Sequence, residues 1–401
     1  MASSPIAREQ SELDAGQLNL ILYALTANLF VHHTATTMLG PLLVELARAF
    51  DVSIAVVGQL AAATALSWAL TGLVAGPLSD RFGRRPLLLG GGVVFAAATF
   101  LGGFAWSFGS LLVFRLLAGI GGSTVGPNST SIVADNFPPN RRGRALGLMM
   151  TGQSFSQLFA LPLVAVVADL AGWQSTFWLV AIVYAVLLAV LAFVLPVQPP
   201  VSPKRQTFLG GYQEVLSEPQ VLVLLGTNVM ARIVFGALTV YLTAFVVETY
   251  RLSLVAVAPV LAFAAVGTLL GAVVGGRLFD HMSKRSLAEL TLVTQALFVL
   301  PLFFWTPSVW VTAIFAGLFS LSNSATRPVF IGMLAGVSER SRGTVMGLTA
   351  LTNQTGVIVG SAIGGLLLAF SGFGAIGVFS AASSFLGAIA VRLYLAEPKL
   401  R

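Results

Sequence analysis

Gly76-Pro-Leu-Ser-Asp80-Arg81-Phe-Gly83-Arg84-Arg85 stands between two long apolar runs, and a degraded copy follows 200 residues later as Gly276-Arg-Leu-Phe-Asp280-His281-Met-Ser283-Lys284-Arg285. The same offset relates Asn28 to Asn228, Val52-Ser53 to Leu252-Ser253, Arg142-Gly143 to Arg342-Gly343 and Gly172-Trp173 to Gly372-Phe373. The 401 residues therefore hold one unit written twice.

Charged residues make up 9% of the chain and the apolar classes 56%, far from the balance of a water-soluble domain. Lipid is the solvent for most of this surface. With no water in the hydrocarbon core to satisfy the backbone, only helices or closed barrels span it, and these apolar runs are too continuous for alternating barrel strands. A spanning helix needs about 20 mostly apolar residues. Between the charge clusters twelve candidates fit: 18–46, 54–78, 86–106, 109–134, 144–170, 173–195, 219–247, 253–277, 286–305, 308–335, 343–370 and 373–396. Six fall in each copy. The expectation is an all-α membrane protein with twelve transmembrane helices in two pseudo-symmetric six-helix bundles, 1–195 and 218–401. The Pro-rich stretch that opens 196–217 reads as the cytoplasmic linker between them.

Lys and Arg set the orientation. Seventeen of the 22 fall on one side, in both motif loops, at Arg8, Arg141, Arg142, Arg144, Lys204, Arg205, Arg340 and Arg342, and at the C-terminus. Only Arg48 and Arg251 fall in loops on the other. The positive-inside rule puts both termini and the motif loops in the cytoplasm, and the net charge of +7 follows from this topology. No solvated basic face with interleaved aromatics exists to hold nucleic acid. The first 17 residues carry Glu9, Glu12 and Asp14, unlike a cleavable leader, so the first span is expected to be retained. The absence of Cys excludes disulfides, thiolate metal sites and Cys nucleophiles.

Within the loop, Gly76 allows close helix approach and Gly83 lets a very short connection reverse. Arg81, Arg84 and Arg85 sit where they can meet phosphates or carboxylates, and Asp80 is placed to meet the positive N-terminus of another helix, such as one beginning near Gly343. Gly76 to Arg85 matches in full the Gly-x-x-x-Asp-Arg-x-Gly-Arg-Arg signature of the major facilitator superfamily, which the whole chain resembles. That resemblance implies twelve helices, a central substrate cavity and rocking between inward-open and outward-open states. It also implies a conformational latch of Gly76, Asp80, Arg81, Gly83, Arg84, Arg85, Asp135 and Asp280, with Asp135 pairing Arg84 or a neighbour. His281 and Ser283 replace the signature's Arg and Gly, so the second copy is expected to be the weaker latch. The alternative is that these charges only enforce topology.

An ionisable residue inside a span is costly and a functional candidate by default. His32 or His33, Arg115, Arg232 and Arg327 fall in spans one, four, seven and ten, the cavity-lining spans of the family, and no Asp or Glu lies near the middle of any span. Ser320, Asn323, Ser324 and Arg327 form one helical stripe. Asn228, Arg232 and Thr239 form another, matched in span one by Asn28, His32 and Thr36, so His32 and Arg232 are expected to face each other. Gln153, Gln157, Asn353 and Gln354 add neutral hydrogen-bonding groups. Arg115-Leu-Leu-Ala-Gly119 resembles the arginine motif of the family's drug and proton antiporters. The alternative for Arg115 is a packing Arg bonded to carbonyls; for Arg327, an ion pair with Glu289; for His33, a bond to a backbone carbonyl. Arg115 also points away from the Thr124, Asn128, Ser131 and Asp135 stripe unless Gly119, Gly121 and Gly122 allow a bend.

The substrate-cavity set is thus Asn28, His32, Arg115, Gln153, Gln157, Asn228, Arg232, Asn323, Arg327 and Gln354, with His32, His33 and Arg115 as proton-coupling candidates. The family's antiporters usually carry Gly-Pro-x-x-Gly-Gly in span five, where this chain has Leu161-Pro162-Leu-Val-Ala165-Val166; span eleven carries Gly356, Gly360, Gly364 and Gly365 instead. The expected activity is secondary transport of a small organic solute across the cytoplasmic (inner) membrane, in the form of proton-coupled efflux by a monomer embedded in the bilayer. Import or exchange of an organic anion through a basic cavity is the alternative; a non-transporting membrane sensor is the alternative of another class. Enzyme chemistry finds no support: no Walker loop, no Cys and no paired carboxylates, and neither cofactor nor metal is called for.

Overall fold

Polar caps and glycine turns cut this apolar chain into helices at short intervals. The computed structural model describes residues 14–196, 217–253, 255–337 and 342–395; the expected linker lies outside these from residue 197 to 216. Eleven helices among the described residues are long and apolar enough to cross a membrane. A further pass precedes them, Ala15–Thr37 continued past Met38 as Leu39–Ala49, and this span one carries Asn28, His32, His33 and several threonines. Span two is Ile54–Phe82, span three Arg84–Gly102, span four Phe108–Gly122 with Val125–Asn136, and span six Trp173–Val194. Span five runs from Pro139–Phe155 through a π turn, Ser156–Ala160, into Leu161–Ala171. Spans seven to twelve are Pro219–Tyr250, Ala258–His281, Lys284–Phe304, Val309–Val337, Arg342–Ser371 and Phe373–Tyr394.

The backbone repeats the offset seen in the sequence. Asp51 (φ 51°) and Arg251 (φ 53°) both leave a helix in the left-handed region, and Gly172 (φ 83°) and Gly372 (φ 76°) both start the next one there. Arg85 donates to the carbonyl of Ala192 and Arg285 to that of Arg392, so each motif loop is tied to the free carbonyls at the end of its bundle's last helix. The copies part at the turn itself. Gly83 reverses the chain at φ 96°, whereas Ser283 stays at φ −61° and caps span nine by accepting from the Ser286 amide at 3.2 Å.

Span four breaks at Ser123 and Thr124, just past its glycines, where the Thr124 hydroxyl bonds the carbonyls of Leu87 at 3.1 Å and Gly121 at 3.0 Å. Small residues let other backbones meet: Gly267, Gly271 and Gly275 of span eight abut Gly317, Leu321 and Ala325 of span ten, and Gly356 and Gly360 of span eleven abut span seven at Val229 and Ile233. Residues such as Phe193, 90% exposed, and Phe370, 85% exposed, face outward, as only a lipid-facing surface allows. The two halves of the chain touch at the ends remote from the motif loops. There Gln59 donates to the Ala362 carbonyl at 3.3 Å, Gly40 packs on the Thr239 carbonyl, and Gly365 lies on the Ala55 carbonyl. Toward the motif loop span two instead exposes Leu70, Val74 and Phe82.

Candidate functional site

Between the halves lies a cavity of two lobes that share part of their walls. One lobe is formed by spans one, five, seven, eight and ten, the other by spans one, two, seven and eleven. They are related by the repeat: Leu261, Ala264, Ala265 and Thr268 in the first occupy the places of Ala61, Thr64, Ala65 and Trp68 in the second. Thr37, Phe235 and Thr239 belong to both and form the partition.

The polar equipment is unequal. The first lobe holds Gln157, Ser320, Asn323, Ser324 and Arg327, the span-ten stripe in full; the second holds His33, Thr36 and Gln354. Among the described residues, no carboxylate lines either lobe. Asn323 is buried and its Nδ2 has no hydrogen-bond partner. The guanidiniums of Arg327 and Arg232 lie 5.6 Å and 5.2 Å from the centre of the Phe235 ring, so two cations converge on the partition. Among the described residues Arg327 has no ion pair; Glu289 pairs instead with Arg392 at 3.0 Å, which removes the pairing weighed from the sequence.

Several expected cavity residues are turned elsewhere. His32 is packed within spans one to six against Trp68, Phe95 and Tyr184, with ring centres 5.3, 4.6 and 6.4 Å away, so it does not face Arg232 across the cavity. Its neighbour His33 takes the cavity side and meets the side chain of Gln157 at 3.1 Å, not a backbone carbonyl. Adjacent residues on a helix point about 100° apart, and the repeat offset matches register without fixing that rotation. Arg115 is buried beside the Ala35 carbonyl at 3.3 Å and over the Phe177 ring at 5.1 Å, away from either lobe, as a packing arginine would be. Asn28 bonds Ser129 at 3.2 Å, and Asn228 bonds Thr352 at 3.0 Å and Asn353 at 2.9 Å; both amides join helices and line neither lobe. Gln153 also lies outside the lining of both lobes.

Sequence reading missed Phe235, Trp68 and the π turn. Phe235 follows Arg232 by one helical turn, which is a signal in hindsight, and Pro162, lacking an amide hydrogen, marks where regular bonding in span five must give way. In the motif loop, Arg84 Nε stands 3.6 Å from Asp135 Oδ2, and Arg84 also donates to Ser79 at 3.1 Å, which in turn bonds Asn128. The side chains of Gly76's neighbour Pro77, of Asp80 and of Asp280 lie outside the described residues.

Comparison with known proteins agrees with this architecture. The chain is 29% identical over 359 residues to the MFS-type transporter YceJ of Bacillus subtilis, covering 88% of this chain and 90% of that one. It is 27% identical over 323 residues to the multidrug resistance protein MdtG of Proteus mirabilis, covering 78% and 79%. It is also 32% identical over 151 residues to the 3-(3-hydroxy-phenyl)propionate transporter of Escherichia coli, covering 38% and 37%. The crystal structure of a bacterial homologue of the human lysosomal transporter Spinster, inward-facing and occupied, superposes with a TM-score of 0.75 over 96% of this chain and 95% of that one, at 20% identity. These relatives are transporters and not enzymes. The sequence profile of the Major Facilitator Superfamily matches residues 25–317 and 260–401, and the chain belongs to that family of membrane transporters.

Proposed function

We propose that this transporter carries a small organic anion across the cytoplasmic membrane by alternating access, with both termini in the cytoplasm. One observation carries the reading: Arg327 stands in the wall of a central cavity that no carboxylate lines among the described residues. Arg327 is half-buried and has no ion pair among the described residues, and a solute carboxylate would supply the missing charge and the acceptor for Asn323 Nδ2. Phe235 and Phe319 offer that solute an apolar surface. The bundles 1–195 and 218–401, joined through 196–217, rock about this site as one monomer. The positive-inside rule makes the touching ends extracellular, which corresponds to an inward-open state. The latch of Gly76, Asp80, Arg81, Gly83, Arg84, Arg85, Asp135 and Asp280 then closes the cytoplasmic side in the opposite state, and His33 is the proton-coupling group.

Counterflow in proteoliposomes tests this. A labelled 3-phenylpropionate pool is expected to exchange in wild-type vesicles and to lose at least about tenfold in rate in Arg327→Ala, the loss of one charged hydrogen bond. Exchange of a cationic amine but not of carboxylates would overturn the anion reading. A second reading, proton-coupled efflux, is favoured by relatives named as multidrug resistance and probable sugar efflux proteins. Under it the same cavity exports its solute, and vesicles loaded with solute would empty faster when an inward proton gradient is imposed.

A further inference from the structure

Gln157 reaches from one lobe of the cavity to a titratable side chain of the other. It lines the lobe that holds Asn323 and Arg327, and its amide nitrogen lies 3.1 Å from Nε2 of His33, which lines the other lobe. The residue sits in the π turn Ser156–Ala160, and that turn is held against span one by the 2.8 Å bond between Ser156 Oγ and Thr34 Oγ1. The backbone is thereby anchored next to His33 while the carboxamide stays free to turn about its terminal bond.

A carboxamide has one accepting and one donating end. A neutral imidazole nitrogen can accept an N–H, whereas a protonated one can only donate. With Nε2 unprotonated, His33 accepts from the Gln157 amide. With a proton from water on Nε2, the same contact requires the amide oxygen, so the carboxamide turns over and its N–H donors point away from His33.

We propose that Gln157 is a relay between proton and solute: protonation of His33 turns the Gln157 carboxamide so that its donors join Asn323 Nδ2 and Arg327, and the cavity binds an organic anion and a proton together. The charged and titratable groups around His33 are His32 of its own span and Arg327 of span ten, which lines the same lobe as Gln157, with Arg232 of span seven beyond Phe235. Spans two, five and eleven face it with Trp68, Thr64, Gln157 and Gln354, none of which titrates in this range. An anion at Arg327 offsets that cation's repulsion of a protonated His33, so each ligand favours the other by the same factor. Proton and anion then cross in the same direction. This inference rests on the reading of the cavity as an anion site.

The test is equilibrium binding of 3-phenylpropionate to the full chain in nanodiscs at about pH 5.5 and about pH 8, either side of histidine's ordinary range. Wild type is expected to bind about tenfold more tightly at the lower pH, a coupling of ordinary size, and to take up protons as ligand is added to weakly buffered solution. Gln157→Met is expected to lose the tighter binding at the lower pH, so that its affinity there approaches the wild-type value at the higher pH and its pH dependence falls below about threefold, the residue of through-space repulsion. His33→Asn, which cannot titrate, guards against a Gln157 variant that fails to fold, and is expected to bind without pH dependence or proton uptake. Equal pH dependence in wild type and Gln157→Met, or tighter binding at the higher pH, would overturn the relay and leave the anion site standing. No carboxylate binding at either pH would overturn both.

Discussion

His32 and His33 show what a single residue's surroundings decide. Both are histidines in the middle of the same polar span, and the repeat offset singles out His32 as the counterpart of Arg232. The structure gives His32 an aromatic box of Trp68, Phe95 and Tyr184 and gives His33 the cavity. The two should therefore fail differently. His32→Ala leaves a hole among buried rings and is expected to cost about 2–4 kcal/mol of stability, read as a lowered melting temperature in detergent. His33→Ala, at the wall of an open lobe, is expected to leave the melting temperature within about 2 °C of wild type, since substitutions away from packed features shift stability little. Equal losses of stability would mean that the assignment of the two side chains is wrong. Periodicity put Asn323 and Arg327 on one stripe because a helix face is readable from spacing. It could not separate adjacent residues such as these, because their rotation toward cavity or bundle is set by which neighbours fill the space.

At the scale of the element, the spans were readable from apolar length and their ends from charge. The interruptions were not. Span one breaks at Met38 before Gly40 and Pro41, span four at Ser123 and Thr124, and span five widens into a π turn before Pro162. In each case small or proline residues free the backbone, but which bond is given up depends on the partner helix, as where Thr124 bonds the Leu87 carbonyl of span three. Helix pairs held by small residues carry a sharper expectation. A Cβ on Gly271 would run into the Leu321 carbonyl, and backbone cannot yield as a flexible side chain does. Gly271→Leu is expected to separate spans eight and ten and to cost at least about 3 kcal/mol, measured as loss of folded protein on size exclusion and of thermal stability. Gly226→Ala, where a Cβ meets nothing within 4 Å, is the matched control and is expected to fold as wild type does. Normal folding of Gly271→Leu would contradict this packing.

Across the whole molecule, duplication builds a symmetric scaffold and unequal side chains tell its two lobes apart. The lobes share their framework through positions offset by the repeat, yet Arg327 and Asn323 belong to one and His33 to the other. A cavity with low-dielectric walls focuses the field of such a charge on whatever enters it, so on the proposed anion reading Arg327, which has no ion pair among the described residues, selects the sign of the solute. The doubled motif loop, legible at once in the sequence, announced the scaffold and the family. Selectivity was harder to read, because a cation inside a span looks the same whether it is paired or free until the position of every carboxylate is known. The most direct measurement compares binding of 3-phenylpropionate with that of its uncharged amide, 3-phenylpropanamide, to wild type and to Arg327→Ala. The account predicts a preference for the carboxylate of at least about tenfold in wild type that disappears in the variant while amide binding persists, the signature of one charge-assisted bond. An unchanged preference in Arg327→Ala, or a wild-type preference for the amide, would contradict it.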